Sequence, residues 1–350
     1  MNDDVLIVGG AGFIGTRLQK LLGINGREVT VLDSFLERVH GTKPLINPKN
    51  TLKVDARNPE EIIGHLKDRH FTEIYFLASD TSTGSSLQEI DSHVSQNTSA
   101  LAGILKYLNL TQKLPNRIIL TSSRAIYGEG HEIDDQGRID SIRSRTAGEL
   151  LEQQWTANRN PNSTFLPNSF LNFPNPNNVY GVTKLFQENL LTVWSEANGV
   201  KSDIYRLQNV IGPGQSPTNP YSGIITNFCL NAALGNTLQV FEGGTIIRDF
   251  VHVDDVAQVL QIPLRDGFTH MDIGTYQPMR LADIATKISE LCGAPAPEEV
   301  SDFRIGDVNT AYASRDSMVA LSGHWRPREI DSDVLEEILD HVKVTLDATI

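Results

Sequence analysis

The sequence has little cysteine, and its two cysteines, Cys229 and Cys292, lie far apart without the spacing of a metal site. A reduced cytoplasmic protein is therefore expected rather than a disulfide-stapled secreted one. The first residues lack a basic region followed by an apolar run, so we expect no signal peptide. No stretch approaches the roughly 18 uninterrupted apolar residues of a membrane-spanning helix, so no membrane partner is predicted.

An excess of positive charge is also missing. The chain has 30 lysines and arginines against 43 acidic residues, which gives a formal net charge of −13. Such a balance argues against nucleic acid or an anionic membrane as the main partner, although local arginines and helix N-termini can still bind phosphates. At 350 residues, 39% of them apolar, the chain is long enough for one large or two moderate globular domains.

What the chain does have is a glycine-rich turn directly after its first apolar run. Val5–Val8 is typical of a central parallel strand, and glycines follow at positions 9, 12 and 15. Glycine permits the tight turn, the approach of the backbone to a pyrophosphate, and close packing of helix on strand. The next helix would present free N–H groups to that anion. The pattern predicts a dinucleotide site.

The second predicted strand, Glu28–Asp33, ends on a carboxylate that can accept both ribose hydroxyls of an adenosine. Asp33 would repel a 2′-phosphate, so NAD is favoured over NADP. Two alternatives stay open: Asp33 only caps the following turn, or the nearby Arg38 accommodates a 2′-phosphate. Asp55, which ends a third short strand, is a candidate adenine contact.

Later apolar segments predict more strands and one long helix. The strands are expected over Glu73–Ser79, Asn116–Gly128, Ser202–Gly214 and Met271–Gly274, and the helix from about Ser92 to Leu108. Asn97, on that helix, either meets the cofactor or is simply solvated.

The candidate catalytic pair is a tyrosine and a lysine four residues apart, Tyr180 and Lys184, at the start of a predicted helix. At this spacing the two side chains lie on one face. A lysine ammonium beside a phenol lowers its pKa from about 10 towards neutral, so that the tyrosine can exchange a proton at physiological pH. Ser122 and Ser123 end the fifth strand, at the edge where open α/β sheets bind ligands.

The segment 131–178, just before the tyrosine, loses regular patterning. It is charged at first and then rich in asparagine and proline, and we predict a long loop or insertion, helical at most around Thr146–Ala157. It could cover the site or be a surface excursion without a chemical role.

Taken together, the glycines at 9–15, Ser123, Tyr180 and Lys184 resemble the extended short-chain dehydrogenase/reductase family. Within it, the chain is similar to NAD-dependent nucleotide-sugar epimerases and dehydratases, from about residue 4 to about 327. The strings Ser122–Gly130 and Gln208–Ser216 are similar to a 4-epimerase subgroup that acts on UDP- or dTDP-hexoses.

The resemblance implies an α/β fold, a Rossmann-type doubly wound parallel sheet with a smaller interleaved C-terminal substrate lobe. The NAD-binding domain would comprise residues 1–207 and 244–275, including the insertion 131–178. The nucleotide-sugar lobe would comprise residues 208–243 and 276–350, and the enzyme is expected to be a cytoplasmic homodimer.

The resemblance also implies a set of contacts. The cofactor contacts would be Gly9, Gly12, Phe13, Ile14, Gly15, Asp33, Asp55, Ala56, Leu77, Ala78, Asn97, Tyr180 and Lys184. The substrate contacts would be Ser123, Arg124, Asn209, Val240, Arg248, Arg304 and Asp307. For Arg248, an ion pair with Asp249, Asp254 or Asp255 is the structural alternative.

By the same resemblance, Tyr180 is the catalytic base, Lys184 lowers its pKa, and Ser123 steadies the developing carbonyl at carbon 4 of the sugar. Dehydratases of the family usually carry an aspartate and a glutamate after the serine, whereas this chain has Arg124 and Ala125. Epimerisation is therefore favoured over elimination of water. The alternatives are a dehydratase, decarboxylase or dehydrogenase on the same site, and more remotely a non-catalytic dinucleotide-sensing protein.

Overall fold

The structure is a computed structural model that describes residues 4–40, 50–81, 89–215, 217 and 223–347, without the side chains of Arg38 and Val39. In chain order the strands are β1 (Asp4–Val8), β2 (Glu28–Asp33), β3 (Thr51–Lys53), β4 (Glu73–Phe76), β5 (Arg117–Ser123), β6 (His131–Asp134), β7 (Ile139–Ser141), β8 (Ser163–Leu166), β9 (Lys201–Leu207), β10 (Asn209–Ile211), β11 (Gln239–Val240), β12 (Ile247–Arg248), β13 (Phe250–His252), β14 (His270–Ile273), β15 (Met279–Arg280), β16 (Glu298–Glu299) and β17 (Thr310–Ala311).

The α-helices are α1 (Phe13–Ile24), α2 (Glu37–His40), α3 (Pro59–Leu66), α4 (Ile90–His93), α5 (Ala100–Thr111), α6 (Ala147–Leu151), α7 (Val179–Asn198), α8 (Ile224–Ala233), α9 (Val253–Val259), α10 (Leu281–Cys292) and α11 (Ser332–Asp347). A π-helical segment covers Val94–Ser99, and 3₁₀ turns cover Arg124–Tyr127, Glu242–Gly244 and Arg315–Ala320.

Over the described residues, the centre of the molecule is a parallel sheet of seven strands in the order β14-β9-β5-β4-β1-β2-β3. The order runs one way from β1 through β2 to β3 and the other way through β4, so the sheet reverses direction between β1 and β4. Ligands of open α/β sheets bind at this reversal, beyond the carboxyl ends of the strands. The predicted Rossmann-type doubly wound sheet is confirmed.

Burial on both faces of the sheet explains the continuous apolar runs seen in the sequence. In β1, Leu6 and Val8 pack into one hydrophobic cluster, whereas Val5 and Ile7 pack into another. This alternation follows the two-residue period of a strand. Helices α3, α5 and α7 contribute to the first cluster, and α1 and α9 to the second.

A third cluster forms the core of the region predicted as the nucleotide-sugar lobe, residues 208–243 and 276–350, which is called the substrate-lobe region below. It joins α8, α10 and α11 through buried side chains such as Phe228, Ile284 and Leu335. Val240 of β11 and Phe250 of β13 belong to the same cluster. The chain therefore enters this region after β10, returns to the sheet through α9 and β14, and enters it again at α10.

The prediction for the segment 131–178 was wrong in part. Instead of an irregular loop, β6, β7 and β8 form a small antiparallel sheet with β6 in the middle. The helix expected around Thr146–Ala157 is α6, which ends at Leu151. The strands escaped detection because they are short and carry charged residues such as Glu132 and Asp134.

Two further predicted elements are interrupted in the structure. The helix predicted from Ser92 to Leu108 is divided by the π-helical segment into α4 and α5. The strand predicted over Ser202–Gly214 is divided into β9 and β10, and β10 pairs with β13 outside the main sheet. Within the described residues, no helix is both long and apolar enough to cross a membrane.

Close packing of α5 on the turn after β3 gives a test of the fold. A Cβ atom at Gly103 would lie 2.0 Å from the carbonyl oxygen of Ala56, whereas one at Gly64 of α3 would meet nothing within 4 Å. We expect Gly103→Ala to lower the free energy of unfolding by about 1–3 kcal/mol through overpacking.

Urea unfolding followed by circular dichroism measures the change. Gly64→Ala is the matched control, because a helical glycine in open space gains about 0.5–1 kcal/mol on replacement by alanine. Equal effects of the two substitutions would contradict the packing of α5 described here.

Candidate active site

A cleft lies at the reversal of the sheet between β1 and β4. Its walls include the ends of β1, β2 and β4 and the residues that follow β3. The predicted cofactor contacts that line it are Gly9, Gly12, Asp33, Asp55, Ala56, Leu77 and Ala78. These residues follow or end the predicted strands, and they lie together in the structure.

The glycine turn closes one end of this cleft. Gly9 has φ +81°, and a Cβ atom there would lie 2.6 Å from the backbone of Ala78. A Cβ at Gly15 would lie 2.5 Å from the carbonyl oxygen of Gly10. Helix α1 begins at Phe13 with no side-chain cap and no acidic residue in its first turn. Its N–H groups therefore point at the cleft without a competing anion, which fits a dinucleotide diphosphate.

The remaining residues predicted around this turn have different surroundings. Phe13 and Ile14 form the first turn of α1, and Ile14 packs against the second hydrophobic cluster. The Asp55 carboxylate accepts hydrogen bonds from the backbone N–H and the Nε of Arg57, both at 2.9 Å. These bonds hold the pKa of Asp55 below its usual value.

Asp33 lines the cleft and also orders the loops beside it. Its carboxylate accepts hydrogen bonds from the N–H of Ala11 at 3.0 Å and of Phe35 at 2.9 Å. Burial opposes ionisation, but His40 and these N–H groups hold the pKa of Asp33 below its usual range. The Asp33 carboxylate is therefore negatively charged, as expected of a ribose-binding acid. Its bonds to Ala11 and Phe35 also give it the alternative role, which is to order the neighbouring turn. The side chain of Arg38 lies outside the described residues.

Asn97 is fully buried beside the cleft rather than on its wall. Its amide oxygen accepts from the N–H of Asp80 at 2.7 Å, and its amide nitrogen donates to Thr183 Oγ1 at 2.9 Å. Asn97 thus ties the end of β4 to α7. The neighbouring Gln96 lines the cleft instead, because the wide π-helical turn changes which side chains face inward.

Tyr180 and Ser123 meet where α7 packs on the end of β5. Helix α7 is capped by Asn178, whose side chain accepts from the N–H of Gly181 at 2.8 Å. A Cβ at Gly181 would lie 2.5 Å from the carbonyl oxygen of Ala125, so only glycine allows this approach. The Tyr180 hydroxyl then lies near Ser123 and Ser79, whose hydroxyls act to lower the pKa of Tyr180. The predicted catalytic serine and tyrosine are brought together.

Lys184 lies one turn further along α7 and is fully buried. Its Nζ donates to the carbonyl oxygen of Thr121 at 2.9 Å and lies 6.0 Å from the centroid of the Tyr180 ring. Burial lowers the pKa of Lys184 to about 7, against the charge of Glu188.

The expectation that Lys184 lowers the pKa of Tyr180 is not met in this structure. Burial raises the pKa of Tyr180 to about 12, against the hydrogen bonds of Ser123 and Ser79 and the charge of Arg124. Tyr180 and Lys184 are both buried, so both lose hydration. This disfavours the charged phenolate of Tyr180 as well as the charged ammonium of Lys184. Arg124 supplies the cationic influence that the sequence assigned to Lys184.

Glu188 continues the same face of α7 and is held in a buried ion pair. Arg206 donates to it with Nε at 3.1 Å and with a terminal nitrogen at 2.8 Å. Another N–H of Arg206 donates to the Tyr127 hydroxyl at 2.7 Å. Burial opposes ionisation, but His270 and Arg206 hold the pKa of Glu188 at about 2, so Glu188 is a fixed negative charge behind Lys184.

Two arginines lie near each other at this end of the sheet, and the charge of Arg124 also acts on Tyr180. The Nε of Arg124 donates to Asn209 Oδ1 at 2.8 Å, and burial together with the charge of Arg248 lowers the pKa of Arg124 to about 9. Arg248 donates to the carbonyl oxygens of Val308 at 2.6 Å and Asn309 at 3.0 Å. Burial lowers its pKa too, with the charge of Asp307 opposing.

The alternative ion pairs for Arg248 do not form. Asp249 accepts from Thr275, Tyr276 and Ala313. Asp254 and Asp255 instead lie near Arg328. Within the described part of the chain, neither Arg124 nor Arg248 has a carboxylate at ion-pair distance, and Asp307 is the acid whose charge acts on both.

The other predicted substrate contacts lie further out in the substrate-lobe region. Val240 is buried in the third cluster. The Arg304 guanidinium is exposed and lies over the ring of Phe241, 5.6 Å from its centroid. The structure thus joins Arg124, Asn209, Arg248 and Asp307 in one group. Arg304 is linked to it through its carbonyl oxygen, which accepts from the N–H of Asp307 at 3.1 Å.

Some residues that surround this group were not predicted. Arg145, in the insertion, bonds Glu129 and Glu242. Glu129 lies in the string Ser122–Gly130, but no role was predicted for it, and Glu242 lies in no recognised motif. Asp80, Glu89 and His93, where no metal site was predicted, bring potential ligand atoms within 4.8 Å of one another. Since Asp80 is also bonded to Asn97, this group lies against the loop after β4.

A comparison with known protein families gives a match over most of the chain. The profile of the NAD dependent epimerase/dehydratase family matches residues 5–147 and 158–274. A dTDP-L-rhamnose 4-epimerase of Burkholderia thailandensis is 35% identical over 338 residues, which cover 93% of this chain and 90% of that protein.

Solved structures share the fold. The UDP-glucose 4-epimerase of Thermotoga maritima with UDP-glucose superposes with a TM-score of 0.79 at 22% identity, covering 98% of this chain and 99% of that one. The UDP-glucose 4-epimerase of Thermus thermophilus in complex with NAD gives a TM-score of 0.76 at 22% identity, with coverage of 97% and 99%.

Proposed function

Because the chain belongs to the NAD dependent epimerase/dehydratase family, we propose that it epimerises carbon 4 of a nucleotide-diphosphate hexose through a transient 4-keto intermediate. One observation carries the proposal: the charge of Arg124 acts on both Tyr180 and Arg248. A proton-transfer group and a cationic pair thus share one small space. A nucleotide sugar has the matching chemistry, since one sugar ring separates its reactive hydroxyl from its diphosphate.

The electrostatics of the two arginines favour a ligand with more than one negative charge. Arg248 is buried and Arg124 is half-buried, and carbonyl oxygens or an amide oxygen hold them in place of carboxylates. Buried cations without a full counter-charge are costly, and a diphosphate can accept hydrogen bonds from two guanidiniums. We propose UDP- or dTDP-hexoses, the nucleotide sugars in the names of the relatives.

In the proposed mechanism, Ser123 and Tyr180 bind the 4-hydroxyl of the sugar. Tyr180 as phenolate takes the hydroxyl proton, and Ser123 donates a hydrogen bond to the developing carbonyl oxygen. Gly9, Gly12 and Asp33 would hold NAD in the cleft, where it would supply an acceptor for the hydride of carbon 4. Because the arginines hold the diphosphate, the keto sugar can turn over and receive the hydride on its other face.

The same residues argue against dehydration. Removing water from the sugar would need an acid and a base beside the reacting carbons. Arg124 and Ala125, which follow Ser123, offer neither a carboxylate acid nor a carboxylate base. A guanidinium remains protonated at neutral pH and instead stabilises negative charge.

We further propose a homodimer formed through α7. Val182, Phe186 and Val193 are exposed along one side of this helix. Ile90 and Val94, on the segment that packs against α7, extend the apolar surface. Contiguous exposed apolar side chains of this kind mark association surfaces. The two free cysteines, Cys229 and Cys292, support the proposed cytoplasmic location, where activated sugars would supply polysaccharide synthesis.

The direct test is incubation of the purified protein with a panel of UDP- and dTDP-hexoses, with the products read by mass and proton NMR. We expect an isomer of unchanged mass. Tyr180→Phe should abolish turnover, because it removes the proton acceptor, while nucleotide-sugar affinity measured by calorimetry stays near wild type.

Products that have lost one water or carbon dioxide would favour a dehydratase or decarboxylase. Release of NADH would favour a dehydrogenase. Substantial turnover by the folded Tyr180→Phe variant would overturn the assignment of the base.

The Tyr180–Lys184 pair makes the rate depend on pH. With pKa values of about 12 and about 7, the pair loses its first proton near pH 7. Above this pH the pair shares a single proton. One arrangement of that proton is the phenolate–ammonium form, in which Tyr180 can act as a base, so kcat/KM should rise with pH through about 7. Because the charge of Glu188 raises the pKa of Lys184, Glu188→Gln should shift this rise to lower pH.

A pH series of kcat/KM for wild type and Glu188→Gln measures the shift. Glu60→Gln, at an exposed position paired with Lys106, serves as the control and should keep the wild-type profile. A shift of the rise to higher pH would refute the role given to Glu188.

The dimer can be tested by placing charge on the exposed side of α7. Phe186→Glu should convert the dimer into a monomer, because an apolar interface does not accommodate an unpaired carboxylate. Light scattering coupled to size exclusion gives the mass. Leu151→Glu, at an exposed leucine of α6, should remain dimeric, and a monomeric wild type would rule out the interface.

A further inference from the structure

The insertion 131–178 packs along the chain segment 308–314. This segment includes Val308 and Asn309, whose carbonyl oxygens accept hydrogen bonds from Arg248. Asn168 bridges to Ala313 through hydrogen bonds with the backbone of Tyr312 and Ser314, both at 2.7 Å. Nearby, Arg159 donates to Thr310 Oγ1 at 2.7 Å. The insertion is therefore packed against the segment 310–314 and is not a surface excursion.

Arg145 is the innermost contact of this insertion. Its side chain is 1% exposed, and its partners Glu129 and Glu242 are 4% and 1% exposed. The guanidinium donates to Glu129 at 2.9 Å, to Glu242 at 2.6 Å and to the carbonyl oxygen of Asp307 at 2.7 Å. One planar cation thus joins three parts of the chain: the end of the β5 region, the substrate-lobe region and the segment 307–309.

The two residues after Asp307 hold Arg248. The guanidinium of Arg248 donates to the carbonyl oxygens of Val308 and Asn309. Glu129 accepts from the N–H of Asn309 at 3.3 Å, and Glu242 accepts from its amide nitrogen at 3.1 Å. The segment 307–309, whose carbonyl oxygens orient Arg248, is therefore bonded to Arg145 at Asp307 and to Glu129 and Glu242 at Asn309.

Charge balance gives Arg145 a second effect. The charges of Glu129 and Glu242 both act on Arg248. While Arg145 pairs with these glutamates, Arg248 is not needed as their counter-ion and stays available for an anion. Without Arg145, two buried carboxylates would draw Arg248 towards themselves, since unpaired buried charges are strongly destabilising.

We propose that Arg145 is a positioning residue that sets the affinity for the substrate diphosphate by holding Arg248 in place. It touches neither the sugar nor the cofactor cleft, and it acts through the segment 307–309. The insertion thereby controls how tightly the nucleotide end binds. This inference rests on the proposed nucleotide-sugar function and adds the insertion to its binding site.

The test compares Arg145→Met with wild type for binding of UDP and dTDP, of the corresponding nucleosides, and of NAD. We expect the Kd for the diphosphates to rise at least about tenfold, as for loss of a buried charged contact. Binding of nucleosides and NAD should remain near wild type. With substrate, KM should rise more than kcat falls.

Arg143→Met is the matched control, because Arg143 lies on the same insertion in an exposed ion pair with Glu149. It should bind diphosphates like wild type. Arg145→Lys covers the case in which Arg145→Met does not fold, as shown by circular dichroism. A lysine keeps the charge but cannot donate along three fixed directions, so it should also weaken diphosphate binding.

A folded Arg145→Met, or in its absence a folded Arg145→Lys, with wild-type diphosphate affinity overturns the inference. Equal loss of diphosphate, nucleoside and NAD binding overturns it too, since this would be a general structural defect. A wild-type protein that binds neither UDP nor dTDP contradicts the proposed function itself. The two failures are thus distinguishable.

Discussion

The repulsion between two neighbouring guanidiniums is the constraint on which this site depends. Arg248 is buried and Arg124 is half-buried, and Asp307 is the acid whose charge acts on both in the described chain. The protein holds them with carbonyl oxygens and an amide, which orient the cations without neutralising them. The charge of Arg124 also acts on Tyr180, so the proposed binding of an anion and the proposed proton transfer would be electrically linked.

The parallel sheet makes this arrangement possible by collecting distant residues at one edge. Ser123 ends β5 and Arg124 follows it, Asn209 begins β10, and Tyr180 lies in the first turn of α7. The reversal between β1 and β4 leaves room for the dinucleotide beside them. The glycine contacts at this edge, notably Gly181 against Ala125, show how little space separates the elements.

The sheet and the closeness of Tyr180 and Lys184 could be predicted because both rest on short-range patterns, apolar runs such as Val5–Val8 and the spacing of the two residues on one helix. The pKa of Tyr180 could not, since it depends on burial by elements far apart in sequence. Gln96 rather than Asn97 lines the cleft because both residues lie on a π-helical turn, and hydrophobic periodicity in the sequence does not reveal such a turn. The partners of Arg145 were equally hidden, and no motif links them.

The long-range contacts of Arg145 bear on the order in which the molecule is completed. Glu242 and Asp307 follow it by 97 and 162 residues, so a ribosome has made most of the chain before this cation meets them. The pairing of β1 with β2 and β4 needs no such delay, since these strands are nearer in sequence. The helix that follows the cofactor turn does wait, because α1 packs on α9. Co-translational folding can therefore pair the first strands early, while the anion site waits for nearly the full length of polypeptide.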